Sequence, residues 1–428
     1  MREPSKRGRV TLLLFAVLAF AASVSLSACG GDDEGGPAEL KVFIFNEPSG
    51  KLEDFAKKCS DGSKGEYEIS FEYLPSSADQ QREQLVRRLG AQDDSIDIMR
   101  MDVIWTGEFA NAGWIEEWTG ADEEAVTKGV FPSVVDTATY EDKLWAAPAW
   151  SNTQLLWYRK DRVQQPPETW SEMIDEAEKI GQGGAIEVQA NRYEGLVVWL
   201  NSMVASAGTE IVNPDNPDEA DLEQAPTEEA LGLMIRLAQS SAADPALSTS
   251  TEDTARLAFE GGAASFMINY PFVYPSAKEN APDVAKQMGA ALYPRVSPDI
   301  PSAPPLGGIN YGVSSYSTHK EESFDAIKCM LAPENQVELA TAGGLPPVLQ
   351  SVYEDKAIDD VYPGYADLIK ESIEKGAPRP VTPAYQDLSL AIQRAIHPLD
   401  ALSLDDIAGE VEELREQVQR GLDVEGLL

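Results

Sequence analysis

Histidine is nearly missing from this chain of 428 residues: only His319 and His397 occur. Two imidazoles so far apart offer no His-x-x-x-His metal pair and no convincing Ser-His-Asp arrangement. His319, in Ser-Thr-His-Lys-Glu ahead of a helix, reads as part of a surface turn. A Gly-x-Ser-x-Gly elbow and a Gly-x-x-x-x-Gly-Lys-Ser/Thr phosphate loop are also absent, and Gly181-Gln-Gly183-Gly184 lacks the rest of a dinucleotide fingerprint. Basic residues are scarce, 34 Lys and Arg against 72 Asp and Glu, giving a formal charge of −38. A field of that sign repels phosphate backbones and argues against a nucleic-acid partner. Cysteine is down to three, with no Cys-x-x-Cys spacing, so no metal site and no cofactor is expected. After residue 24 no apolar run approaches the roughly 20 residues that span a bilayer. Among enzyme classes, only glycoside hydrolysis by paired carboxylates keeps candidates, because the acids are so many.

What is present begins at the N-terminus. Arg2, Lys6, Arg7 and Arg9 precede an apolar stretch, Val10 to Val24, and then Leu26-Ser27-Ala28-Cys29. This resembles a bacterial lipobox and predicts a signal peptide over 1–28, with Cys29 acylated on sulfur. Removing residues 1–28, with four basic residues and one acid, takes the charge to about −41. The Gly- and Asp-rich residues 29–38 then form a flexible tether to the outer face of the membrane. Outside the cytoplasm the remaining two cysteines, Cys59 and Cys329, either pair or stay as buried thiols on two amphipathic helices.

Length and 43% apolar content predict at least two folded lobes. Strands are expected at 40–45, 67–74 and 98–105, alternating with helices up to Cys59, at 80–89 and from 108, the pattern of a parallel α/β lobe. Extended segments 143–150 and 155–159 lead into longer helices at 169–179, 193–207, 227–240 and 251–259. Short strands interrupt these at 185–189, 264–269 and 289–293. Thr169 and Glu172 form a capping box. Residues 308–314 return to strand and 321–331 to helix. All eight tryptophans fall between Trp105 and Trp199, which suggests aromatic surface around the passage between lobes. The acidic run Asn213–Asp221 has two prolines and lacks the glycine of a calcium loop, so it reads as solvated.

Several segments in order resemble the family 1 extracellular solute-binding proteins, the branch that includes maltose-binding protein. They are Met101-Asp-Val-Ile-Trp-Thr-Gly-Glu-Phe-Ala110, Leu155-Leu-Trp-Tyr-Arg-Lys-Asp161, Phe266-Met-Ile-Asn-Tyr-Pro-Phe272, Leu306-Gly-Gly-Ile-Asn310, Gly343-Gly-Leu-Pro-Pro347 and Arg379-Pro-Val-Thr-Pro-Ala-Tyr385. The nearest likeness is to actinobacterial trehalose-binding lipoproteins. The resemblance implies a two-lobe α/β fold of the type II periplasmic-binding-protein kind, hinged around a ligand cleft. It places one lobe at 39–147 plus 303–350 and the other at 148–302 plus 351–428. It implies a non-enzymatic, monomeric importer subunit that binds a disaccharide, trehalose or maltose-like, and delivers it to an ABC permease. An anchored glycoside hydrolase, or a binder of a non-sugar solute, is the alternative.

A sugar presents hydroxyls at its edge and C–H patches on its faces, so amides, carboxylates, a forked arginine and flat rings suit it. On that chemistry the resemblance marks Asn46, Glu47, Asp102, Trp150, Asn152, Glu252, Tyr270, Phe272, Gly307, Gly308, Leu345 and Arg379 as the site. Asn152 stands where several relatives carry Asp. Tyr270 and Phe272 occupy a stretch where many relatives place a stacking tryptophan. Ile309 replaces what is often an aromatic.

Overall fold

The computed structural model describes residues 36–423 apart from 48, 76, 77 and 215. The expected signal peptide, the lipidated Cys29 and most of the tether lie outside them. Ten strands among the described residues build two main sheets: β1 Ala38–Phe45, β2 Tyr67–Leu74, β3 Ile98–Asp102, β4 Ala147–Thr153, β5 Leu155–Arg159, β6 Ala185–Glu187, β7 Ala264–Asn269, β8 Met288–Ala291, β9 Pro305–Val313 and β10 Ala377–Pro378.

The first sheet has the order β10-β9-β3-β1-β2, with β4 also paired to β9. Strands β1, β2 and β3 are parallel, as their helical connections, Leu52–Gly62 and Ala78–Gly90, require. The sheet as a whole is mixed rather than parallel. Strand β9 comes back from the second sheet, enters from the opposite end and runs antiparallel to both β3 and β4. The second sheet has the order β8-β5-β7-β6, with only β6 and β7 parallel.

Gln154 alone separates β4 in the first sheet from β5 in the second. The expected boundary at 147/148 therefore falls at the head of a first-sheet strand, and β10 returns to that sheet from the segment expected in the other lobe. The C-terminal helices Tyr385–Ile396 and Ile407–Leu422 pack on Glu194–Ala207 and Gln224–Gln239.

Local signals in the sequence are met in detail. Thr169 accepts from the Glu172 amide while Glu172 accepts from the Thr169 amide, so the capping box is formed. The expected strand 98–105 stops at Asp102, and Val103–Trp105 is a 3₁₀ turn. The Asp102 carboxylate accepts from the Ile104 amide at 3.2 Å, replacing the ladder bond with a cap. Asn213–Asp221 is in part a two-strand hairpin with exposed side chains. The tryptophans are not a surface feature: all but Trp145 are buried, for example Trp170 against Trp199 at 5.5 Å. Their clustering in sequence reflects core packing of adjacent elements. Cys59 and Cys329 are disulfide-bonded, joining helix Leu52–Gly62 to helix Lys320–Met330. Among the described residues no helix is long and apolar enough to cross a membrane, and no group of metal-ligating side chains is found.

Candidate functional site

A cavity of about 580 Å³ lies between the ends of first-sheet strands and the segment that follows β7. That volume falls in the range of small-molecule sites, roughly 300–1,000 Å³. Asp102, Trp150, Asn152 and Gly308 line it from the first sheet, Tyr270 and Phe272 from beyond β7, and Leu345 from the Gly343–Pro347 turn. Ile309 also lines it and offers no ring. Trp150 is held by Phe45, whose ring meets it edge-on at 6.2 Å. Gly308 is the position where only glycine fits. Its φ is +141°, and a Cβ there would sit 2.2 Å from the Trp150 carbonyl oxygen.

Three polar groups in this cavity lack a full set of partners. Asp102 takes both its bonds, from Ile104 N and from Arg379, on Oδ1, which leaves Oδ2 without a bond among the described residues. The side-chain amide of Asn152 and the hydroxyl of Tyr270 have no hydrogen bond there either, although both residues are partly buried. All three residues are only partly buried, so these polar atoms face the cavity and can hydrogen-bond with whatever enters it. Burial raises the Tyr270 phenol well above its usual range, with the Glu252 carboxylate adding to the effect, so it stays a neutral donor.

Asp102 and Arg379, 277 residues apart, meet at 3.3 Å. Arg379 donates its other terminal nitrogen to Glu194 at 2.7 Å. Glu194 opens helix Glu194–Ala207, where the helix dipole favours a carboxylate. It also accepts from the Ser389 hydroxyl at 2.6 Å and from the Tyr385 hydroxyl. Asn201 donates to the Pro378 carbonyl at 3.2 Å and steadies the segment that carries Arg379. Burial works against the guanidinium charge, but Tyr385, Asp102 and Glu194 outweigh it and hold the group firmly protonated. Arg379 is only 9% exposed and does not itself line the first cavity. It lines a second, of about 510 Å³, with Asn201, Asp136, Glu141 and Glu210. Gly307 sits beside it; a Cβ there would lie 3.3 Å from an Arg379 nitrogen.

Three other expected residues stand apart from the cavity lining. Asn46 is exposed. Glu47 is buried, but its carboxylate turns back to accept from the Ser49 amide at 2.6 Å and the Ser49 hydroxyl at 2.5 Å. Glu252 opens helix Glu252–Glu260 behind Tyr270, where burial raises its carboxyl and the neighbouring Tyr193 hydroxyl opposes the rise. Glu194 was missed by sequence reasoning, since nothing near it signals a partner 185 residues away. Tyr385 was quoted as part of the Arg379 segment without a role.

The profile of the bacterial extracellular solute-binding proteins matches residues 52–364. A probable ABC transporter-binding protein of Deinococcus radiodurans is 26% identical over 410 residues, covering 90% of each chain. A maltotriose-binding protein of Pyrococcus abyssi is 25% identical over 346 residues, covering 78% of this chain and 70% of its own. Among solved structures, maltose-bound MalE3 of T. maritima superposes with a TM-score of 0.76 at 24% identity, covering 88% of this chain and 99% of that one. The sugar-binding MalE of Xanthomonas citri gives 0.77 at 20% identity, covering 90% and 97%. These two likenesses establish the two-lobe type II binding-protein fold, and the profile match over most of the chain establishes membership: this is a bacterial extracellular solute-binding protein.

Proposed function

We propose that the chain is the substrate-binding subunit of an ABC sugar importer, taking a disaccharide of the trehalose or maltose type into the 580 Å³ cavity and handing it to a permease. The observation that carries the reading is the pairing of cavity-facing neutral or singly charged polar groups with flat rings. Asp102 Oδ2, the Asn152 amide and the Tyr270 hydroxyl match sugar hydroxyls, while Trp150 and Phe272 match its C–H faces. The ligands of similar proteins, maltose and maltotriose, favour the same class. In this reading Cys29 carries the lipid that holds the protein on the outer face of the membrane, and no bond of the sugar is made or broken. The lobes are 39–147 plus 303–350 and 148–302 plus 351–428, with β4 and β10 as the segments that cross between them.

A thermal-shift screen of the mature protein against a sugar library tests this, because a ligand of the folded state raises the melting point. Trehalose or maltose should give the largest shift. Asp102→Ala should weaken the responding sugar by roughly tenfold or more in calorimetry, the loss expected of a charged hydrogen bond. No shift with any sugar, or release of monosaccharides on incubation, would remove the proposal.

A further inference from the structure

Arg100, in the middle of β3, is completely buried, and none of its three guanidinium nitrogens finds a hydrogen-bond partner among the described residues. Arginine keeps its proton at any ordinary pH, so the chain has enclosed a permanent charge without the acceptors that burial normally demands. What surrounds it is aromatic. Its guanidinium carbon lies 3.8 Å from the centroid of the Trp150 ring and 5.2 Å from that of Tyr311. The register explains the stack: Arg100 pairs with Tyr311 across β3 and β9, and Trp150 pairs with Ile309 across β9 and β4. The buried Glu47 is the acid whose field reaches Arg100, yet its carboxylate is bonded to Ser49 instead.

An apolar side chain of similar length would fill this position at lower cost, since a desolvated charge without partners weakens the fold. Local rules of this kind are broken where function asks for it. Trp150 is the large ring that lines the cavity from the first sheet, and Phe45 restrains it at the edge. We propose that Arg100 is a positioning residue for ligand affinity: its cation–π stack fixes the Trp150 ring before the ligand arrives. A ring already fixed spares the ligand the entropic cost of ordering it. This rests on the sugar-binding reading above.

The test compares Arg100→Met, which keeps length and apolar volume, with Arg100→Lys and Trp150→Phe. With the sugar that gives the wild type its largest thermal shift, Arg100→Met should bind roughly 3- to 30-fold more weakly, the range of a desolvated cation–π contact. Its melting point without ligand should be unchanged or higher. Arg100→Lys, a charge without the planar stack, should recover part of the affinity. In the Trp150→Phe background the Arg100→Met change should add little. Unchanged affinity in Arg100→Met, or affinity and stability falling together in both Arg100 variants, would overturn the proposal. If no sugar binds the wild type, the function reading fails separately. The ring contact is then read without ligand, as a change in tryptophan emission on Arg100→Met that vanishes in the Trp150→Phe background. Its persistence there would also sink the inference.

Discussion

Two buried arginines each touch a residue that lines the 580 Å³ cavity, and they are buried in opposite ways. Arg379 reaches two carboxylates, Asp102 and Glu194, that come from different elements and hold it like a strut. Arg100 has only the faces of Trp150 and Tyr311. The first shows a charge made affordable by its partners; the second shows a charge tolerated by rings alone. Both choices leave the cavity wall organised in the absence of ligand, one through ion pairs and one through a stack.

The largest break in this comparison should come from Arg379→Ala. It strands Asp102 and Glu194 close together without a cation, and removing one member of a buried ionic network costs on the order of 3–5 kcal/mol. Urea unfolding should register that loss, and sugar binding should disappear in calorimetry. A smaller effect tests a third buried ionisable group, the acid Glu187, which is 2% exposed with Oε1 unpaired. Burial, with help from Asp244, pushes its carboxyl up to about 8. The native state then holds a proton that the unfolded chain releases near pH 4.5. Stability contributed by this group is full below that pH and is lost as pH rises towards 8, by a few kcal/mol on the order-of-magnitude scale of such shifts. Melting curves from pH 5 to 8 should show the decline in the wild type and a flatter profile in Glu187→Gln. Arg100→Met should go the other way and gain about 1 kcal/mol in urea, since it removes an unpaired charge. Thr169→Ala, far from any of these groups, should cost about 1 kcal/mol through its lost cap and leave binding untouched.

How far the sequence predicts this molecule depends on the range of each interaction. β1 was legible as a short apolar run and β2 by its alternation, both local signals, and the Thr169 cap because its two partners lie three residues apart. The direction of β9 was not, because it depends on which side of the molecule the chain returns from. Among site residues, Asp102, Trp150, Asn152, Tyr270, Phe272, Gly308 and Leu345 came together around one cavity, all but Trp150 and Asn152 on the ordered segments that resemble a family. Glu194 escaped because an ordinary first-turn glutamate carries no mark of a distant arginine. Arg100 escaped although it interrupts an apolar run, Ile98-Met99-Arg100-Met101, since only the fold shows that the interruption is buried. The tryptophans misled for a related reason: sequence clustering says that large side chains are near one another, and not whether water reaches them.

The first sheet takes β1, β2 and β3 from the start of the chain, β4 from residues 147–153, β9 from beyond residue 304 and β10 from residues 377 and 378. A chain emerging from its N-terminus thus has four strands of that sheet in hand, with β3 and β4 both missing the neighbour β9 until residues 305–313 have been made. The bond between Cys59 and Cys329 obeys the same calendar, closing only after the later cysteine appears. Completion of the first sheet is therefore among the last events in the making of the protein, and holding the early strands apart from other chains during that delay falls to whatever handles the nascent polypeptide.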